Sequence, residues 1–483
     1  MELPNPDRLA SVIEPILDAA RIPGAAIAIV CEDEVLFTAG FGQRDEAGLP
    51  VTPDTLYPIA STTKAINATL IGMLVDDGLI GWDVPVQRYL PRFRLADPVR
   101  SPLVTVRDLL TMRTGLPRHD WLWLGHPVAR EDMVERMEHL ELSAGFRERF
   151  QYNNLMPTLA GHVAEKVTGK SWEALVKERI LDPLGMTRTI FTVPSEGDFT
   201  RSWVENDAGD LVPGSILAAE CSAPSGGSIY SSVREMARWV AFNLCGGKAA
   251  DGRQLIKPET LAEIHRAQMV MGDWGGFNGW ATYGMGWMIN PYNGNHRLFH
   301  GGALHQVDCE VAFYPDKKIG MVSFTNFGAP AVATLMNEHA FDAIMGTVPK
   351  TSVETKFGAY QKMLKDRLAV NRAAKRVAAT SPSHALVDYA GCYRHAAYGD
   401  VVIEHTPDGL RLRRGVFDLP LEHRHYDSWA IADASQLWPH SQHPFEASNG
   451  WRFETGAEGE ISALTVLLEV NAAPIRFEKL LPD

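Results

Sequence analysis

Ser61 and Lys64 stand three residues apart in Ala60-Ser61-Thr62-Thr63-Lys64, where the extended stretch Tyr57-Pro58-Ile59-Ala60 runs into a helical one. A hydroxyl is a poor nucleophile at neutral pH and needs a base within hydrogen-bond reach. Residues i and i+3 share one helix face, so this spacing puts the Lys64 amine beside the Ser61 hydroxyl. Partial burial at a helix start would pull the lysine pKa towards neutrality and let the amine accept a proton. The same terminus offers unbonded backbone N–H groups to a developing oxyanion. Taken alone, the pair also reads as an N-cap serine and a solvated lysine. It is the single Ser-x-x-Lys in the chain.

Two further clusters follow. Tyr152-Asn153-Asn154 can aim a phenol and a carboxamide the same way; the phenol can relay protons and the amide can bond a substrate carbonyl. In His300-Gly301-Gly302 the glycines let a substrate backbone approach a strand edge, and the basic side chain could stabilise negative charge or hold a carboxylate. In isolation each cluster reads as an ordinary turn. Their order along one chain is what raises them together.

The elements that must position these groups can be read from periodicity. Residues 6–20 carry a helical pattern, 25–30 and 35–41 alternate as two strands of a hairpin, and 62–75 predicts a helix. Ile66, Leu70, Met73 and Leu74 would form its apolar stripe, with Gly78 near its C-cap. The text from about 85 to 270 is mostly helical, broken by Pro and Gly. Strand character returns at 283–289, 307–314 and 319–325, with a turn at Asp316-Lys317-Lys318, before a closing helix over 331–344. Strands at both ends of this stretch predict an α+β layout, one antiparallel sheet flanked by helices, with an all-helical insert. Residues 351–378 read as a charged linker helix. Short alternating runs at 401–404, 410–412, 429–431, 451–454 and 461–469 then suggest a small β-barrel or sandwich.

With S-x-x-K, Y-x-N and H-G-G in this order, the sequence resembles the penicillin-binding protein and class C β-lactamase-like serine hydrolases, a superfamily that also holds D-aminopeptidases and carboxylesterases. Thr105-Val106-Arg107-Asp108-Leu109-Leu110-Thr111-Met112-Arg113-Thr114-Gly115-Leu116, Pro224-Ser225-Gly226-Gly227-Ser228-Ile229-Tyr230-Ser231-Ser232 and Tyr283-Gly284-Met285-Gly286-Trp287 are similar to other segments of that superfamily. The resemblance implies that Ser61 attacks a carbonyl, that Lys64 and Tyr152 share acid and base work, and that Asn154 orients substrate. It also implies an oxyanion hole from the backbone N–H groups of Ser61 and Ala303. His300 stands where many relatives carry the lysine of K-T-G, which argues against β-lactamase or transpeptidase activity; Met112 and Arg113 also depart from the pattern. Residues 389–393 and 419–427 look like a lipocalin-like C-terminal domain. The implied organisation is a hydrolase domain over 1–348, a linker helix over 349–382 and a lipocalin-like barrel over 383–483.

Composition narrows the partners. The chain has 483 residues, 45% hydrophobic and 22% charged, enough for two cores. Its formal net charge of −13 disfavours nucleic acid and anionic membrane surfaces. No apolar run reaches the roughly 18 residues of a membrane span, and the N-terminus lacks a signal-peptide pattern, so a cytoplasmic location is expected. Cys31, Cys221, Cys245, Cys309 and Cys392 are too scattered for a metal or disulfide framework. The histidine pairs 300/305, 423/425 and 440/443 lack acidic or cysteine company, so no metal and no cofactor is expected. Trp121, Trp123, Trp274 and Trp280 would either line a cleft or pack the insert, whereas Tyr283 and Trp287 belong to the core. The expected activity is hydrolysis of small peptides at an amide bond through a Ser61 acyl-enzyme. Alternatives are a carboxylesterase on small acyl esters and an idle penicillin- or peptide-binding sensor. The barrel is expected near the cleft mouth or at a subunit interface of a homo-oligomer, limiting substrate length.

Overall fold

The computed structural model describes residues 6–206, 209–214, 229–272, 280–304, 306–328, 331–349, 352–359, 362, 377–432, 450–469 and 471–481. Residues 224–228, Cys221, Trp274, His305, His440, His443 and most of the expected linker helix lie outside them; 353–359 within that linker are helical.

An eight-stranded antiparallel sheet forms the frame. From one edge it runs Glu34–Gly42, Gly24–Cys31, Ile319–Thr325, Val307–Tyr314, Asn295–Leu304, Met288–Tyr292, Ala281–Tyr283 and Met269–Gly272. The two ends of the first 345 residues meet at its centre, where Ile27 lies opposite Ser323. Along Gly24–Cys31 the period of two sorts side chains cleanly. Ala25, Ile27 and Ile29 join one core with the helices Pro6–Ala19 and Val332–Met345, while Ala26, Ala28 and Val30 face the core shared with the helix Thr63–Asp76. Both faces are therefore covered.

Four details differ from the sequence reading. The helix expected to carry one apolar stripe is buried all round from Thr63 to Leu74, because sheet and insert enclose it. Residues 283–289 are not one strand: Tyr283 ends a strand, Gly284 to Trp287 turn, and Met288 begins the next. His300-Gly301-Gly302 lies inside the strand Asn295–Leu304, which its polar residues and glycines had hidden. The insert is helical in the main, with a short β pair at Trp203–Glu205 and Leu211–Pro213.

The C-terminal segment closes into an eight-stranded barrel. The strands Gly391–His395, Phe417–His425 and Ile475–Lys479 add to the five read from sequence, and Tyr393 opposite Lys479 joins first to last. Among the described residues no helix is long and apolar enough to cross a membrane.

Two glycines let the sheet reach the helix start. Gly286, at φ +77°, abuts the Lys64 backbone, so a Cβ there would lie 2.6 Å from the Lys64 carbonyl oxygen. A Cβ at Gly302 would lie 2.9 Å from both the Ile59 oxygen and the Ala60 Cβ. Gly286→Ala combines overpacking against backbone with a left-handed conformation, and is expected to destabilise the protein by about 2 kcal/mol. Urea unfolding of the variant checks this; a midpoint equal to wild type would refute the contact's importance.

Candidate active site

Ser61 sits in a single 3-10 turn, Ala60–Thr62, directly before the helix Thr63–Asp76. Ala60 holds φ +45°, a conformation an alanine adopts only under constraint, here the packing of Gly302 and the Tyr57–Pro58 strand on either side. Ser61 stays half-buried while Lys64 is 1% exposed. Lys64 Nζ donates to Ser61 Oγ at 2.9 Å and to Asn154 Oδ1 at 2.7 Å. Burial holds the Lys64 pKa well below the ordinary lysine range; the Arg118 charge pushes it down further and Asp120 opposes this.

Tyr152 and Asn154 arrive from the other side, on the turn that enters the helix Leu155–Thr168. Asn153 Oδ1 accepts from the Met156 N–H at 2.9 Å and fixes that turn. One helical turn past Lys64, the buried Asn67 donates to the Pro157 carbonyl at 2.9 Å and accepts from Trp172 Nε1 at 2.8 Å, which locks the two helices in register. The Tyr152 ring lies 4.8 Å from Lys64 Nζ, packed against a wall of Met112, Tyr283 and Phe150. Met112, without a role in the sequence reading, is thus part of the Tyr152 wall. Arg113 instead pairs with the buried Asp108 at 2.6 Å. Burial pushes the Tyr152 phenol up to about 12, against the pull of Arg118 and of a hydrogen bond with Ser61. At neutral pH Tyr152 is a protonated phenol, and burial disfavours the charged form of the amine beside it.

His300 is 1% exposed, and its burial disfavours the charged ring. Its Nδ1 donates to the Gly301 carbonyl at 2.6 Å, leaving Nε2 to accept from Tyr283 Oη at 3.2 Å. Desolvation first, and the Lys64 charge second, bring its pKa to about 3. The strand carrying it lies against the Ala60–Thr62 turn. Gly302 makes that contact, and Ala303, the next residue, is exposed and lies opposite Asp308 of the neighbouring strand.

Sequence reasoning missed Arg118 and Asp120. Asp120 Oδ1 accepts from Asn154 Nδ2 at 3.0 Å and from Trp123 Nε1 at 2.9 Å. Arg118 Nε donates to Asp120 Oδ2 at 2.7 Å while its guanidinium lies 5.0 Å from the Tyr152 ring centre. They belong to an irregular stretch with no periodicity to single them out. Trp121 neither lines a cleft nor packs the insert alone: it is fully buried and stacks on Phe417 of the barrel at 5.9 Å. Trp280, in contrast, is 71% exposed. Among the described residues no group of three or more His, Cys, Asp or Glu could hold a metal ion.

Residues 9–344 match the Beta-lactamase family, and residues 375–479 match a Domain of unknown function (DUF3471). The chain belongs to the Beta-lactamase family. It is similar to Unguisins hydrolase ungD' of Aspergillus campestris, 28% identical over 420 residues, covering 82% of this chain and 77% of that protein. Protein flp of Staphylococcus aureus is 25% identical over 366 residues, 73% of this chain and 69% of its own. The fold matches that of the octameric penicillin-binding protein homologue from Pyrococcus abyssi with a TM-score of 0.63 at 23% identity, over 98% of this chain and 99% of the other. The fold and family are those of β-lactamase-like serine hydrolases.

A neutral His300 has a measurable consequence. Its folded pKa, about 3, lies below the 6.5 of a free histidine, so the stability gained from the neutral ring is complete above pH 6.5 and lost as pH falls from there through about 3. In a histidine-resolved NMR titration the signal absent from His300→Gln is expected to keep its neutral shift from pH 8 to about 5. A midpoint near 6.5 would restore the cation.

Proposed function

We propose that this chain hydrolyses amide bonds of small peptides through an acyl-enzyme on Ser61. The observation that carries the reading is the buried Lys64 amine within 2.9 Å of the Ser61 hydroxyl. Environments that drive two titratable groups apart sort them into base and acid. Lys64, whose pKa burial lowers, takes the Ser61 proton as the hydroxyl attacks the carbonyl. Tyr152, held protonated, is the donor to the departing nitrogen, and its proton is replaced through Lys64. Water then attacks the ester with Lys64 again as base, and Ser61 is released.

Asn154 orients the amine and the substrate edge nearest it. The backbone N–H groups of Ser61 and Ala303 receive the oxyanion, and Gly301 and Gly302 leave the strand edge clear for a substrate backbone. A neutral His300 shapes this edge as a hydrogen-bonded wall rather than as an anion clamp. An amine leaves a tetrahedral intermediate poorly unless protonated, so a phenol kept protonated at pH 7 favours amides over esters as the natural bond. The name of the similar Aspergillus campestris protein, a hydrolase of unguisins, supports hydrolysis.

Incubation with a fluorophosphonate and weighing of the intact protein tests the nucleophile: one adduct is expected on the wild type and none on Ser61→Ala. Absence of any adduct on the wild type would mean an idle sensor. Lys64→Ala is expected to slow turnover about a thousandfold, and Tyr152→Phe to cost amino-acid p-nitroanilides about tenfold more than p-nitrophenyl butyrate. Turnover of the ester without any of the anilides would replace the peptidase reading by a carboxylesterase.

A further inference from the structure

The segment 118–126 touches the candidate site with one side and the barrel with the other. On the site side, Asp120 takes the Asn154 amide and the Trp123 indole, and Asn154 in turn takes the Lys64 amine. On the barrel side the contacts are dense and come from separate strands. Arg414, buried, donates from Nη1 to the Leu124 carbonyl at 2.9 Å and from Nη2 to the Leu122 carbonyl at 3.1 Å, with its guanidinium 4.9 Å from the Trp121 ring centre. The Val416 N–H donates to the Gly125 carbonyl at 2.8 Å. Trp121 stacks on Phe417 with planes 6° apart and meets Trp451 at 6.0 Å. His119, at φ +47°, bonds Tyr398 Oη at 2.6 Å through Nδ1, and its backbone N–H donates to Glu469 at 3.1 Å.

The segment holds itself by one 3-10 turn, Asp120–Leu122, and short-range bonds such as the Leu124 N–H to the Asp120 carbonyl at 2.9 Å, which leave a loop of this length many conformations if left alone. Besides Asn154 and the Glu141 carbonyl that meets His119 Nε2 at 2.8 Å, what fixes it here comes from four barrel regions, around Tyr398, Arg414 to Phe417, Trp451 and Glu469. We infer that the barrel is a working part of the active site: it clamps residues 118–126 so that Asp120, a positioning residue, fixes Asn154 and through it the Lys64 amine. The inference rests on the reading of Lys64 as the base of Ser61. It assigns the barrel a role in reactivity rather than in substrate length alone. Asp120 acts twice over, by holding the amide and by placing a negative charge that favours the protonated amine.

The test uses the full chain and the rate of Ser61 fluorophosphonate labelling as a function of pH, with thermal unfolding in parallel. Loss of wild-type labelling in Ser61→Ala is the control; a wild type that does not label sinks the underlying reading and not the clamp alone. Asp120→Asn is expected to slow labelling about tenfold and to move the rising limb to lower pH, since the charge that holds the proton on Lys64 is gone. Arg414→Met, which leaves the site untouched, is expected to slow labelling by a similar factor. The double variant should lose no more than the slower single one, because both act through the same segment. Tyr398→Phe removes one hydroxyl only, should fold whatever becomes of Arg414→Met, and should label several-fold more slowly. The clamp is refuted if folded Arg414→Met and Tyr398→Phe label within twofold of wild type, or if the double variant multiplies the two single losses.

Discussion

An amine on a helix that is buried on every side is the constraint around which this molecule is arranged. A charged ammonium there would cost several kcal/mol of lost hydration, so burial lowers the Lys64 pKa and disfavours the protonated form. A neutral amine has two N–H donors and one lone pair. In the resting geometry the donors go to Ser61 Oγ and Asn154 Oδ1, which leaves the lone pair as the remaining site for a proton. A small rotation of the amine turns the Ser61 hydroxyl from acceptor into donor without disturbing the rest.

That economy works only if the neighbours cannot drift. Three separate regions of the chain converge on the helix start and the turn before it. Gly286 meets the Lys64 backbone from the turn between two strands, and Gly302 meets Ile59 and Ala60 from the sheet. Asn67 ties the helix to the segment that carries Tyr152 and Asn154. At each glycine a single methyl group would force backbone apart, so the close approach itself selects the residue. The unusual dihedral at Ala60 follows from the same squeeze. With neighbours fixed on both sides, the chain has to turn sharply to expose the Ser61 hydroxyl.

How much of this could be read beforehand depended on the range over which each feature is determined. The Ser61–Lys64 pair is local, since a helix alone sets its geometry, and it was legible. Tyr152 and His300 were legible through their order in the chain, and the structure brings both rings to 6.2 Å of each other. The strands 307–314 and 319–325 announced themselves by their mainly apolar residues, because they are buried on both faces. Asn295–Leu304 did not, since its central residues are the polar and glycine positions that the site needs. Arg118 and Asp120 carry no local signal, because their partners arrive from Asn154, Trp123 and the Tyr152 ring. The tryptophan at 121 was visible, but its partner Phe417 is nearly 300 residues away, and no pattern within the insert points to it. The state of His300 lies outside the sequence for a related reason: a side-chain type is local, whereas its protonation depends on burial.

The electrostatics of the site are quieter than its list of ionisable groups suggests. Arg118 and Asp120 are paired at 2.7 Å, and their effects on Lys64 have opposite signs. His300 adds no positive charge, and Tyr152 adds no negative one. What is left to set the state of the amine is desolvation, a property of packing rather than of a counterion. Salt screens exposed charges across about 8 Å at physiological ionic strength but leaves buried contacts nearly untouched. A base tuned by burial therefore keeps its character as ionic strength changes and loses it when packing loosens. For that reason contacts far from the hydroxyl, in the glycine turn and along the barrel face, bear on the chemistry as directly as the residues that touch it.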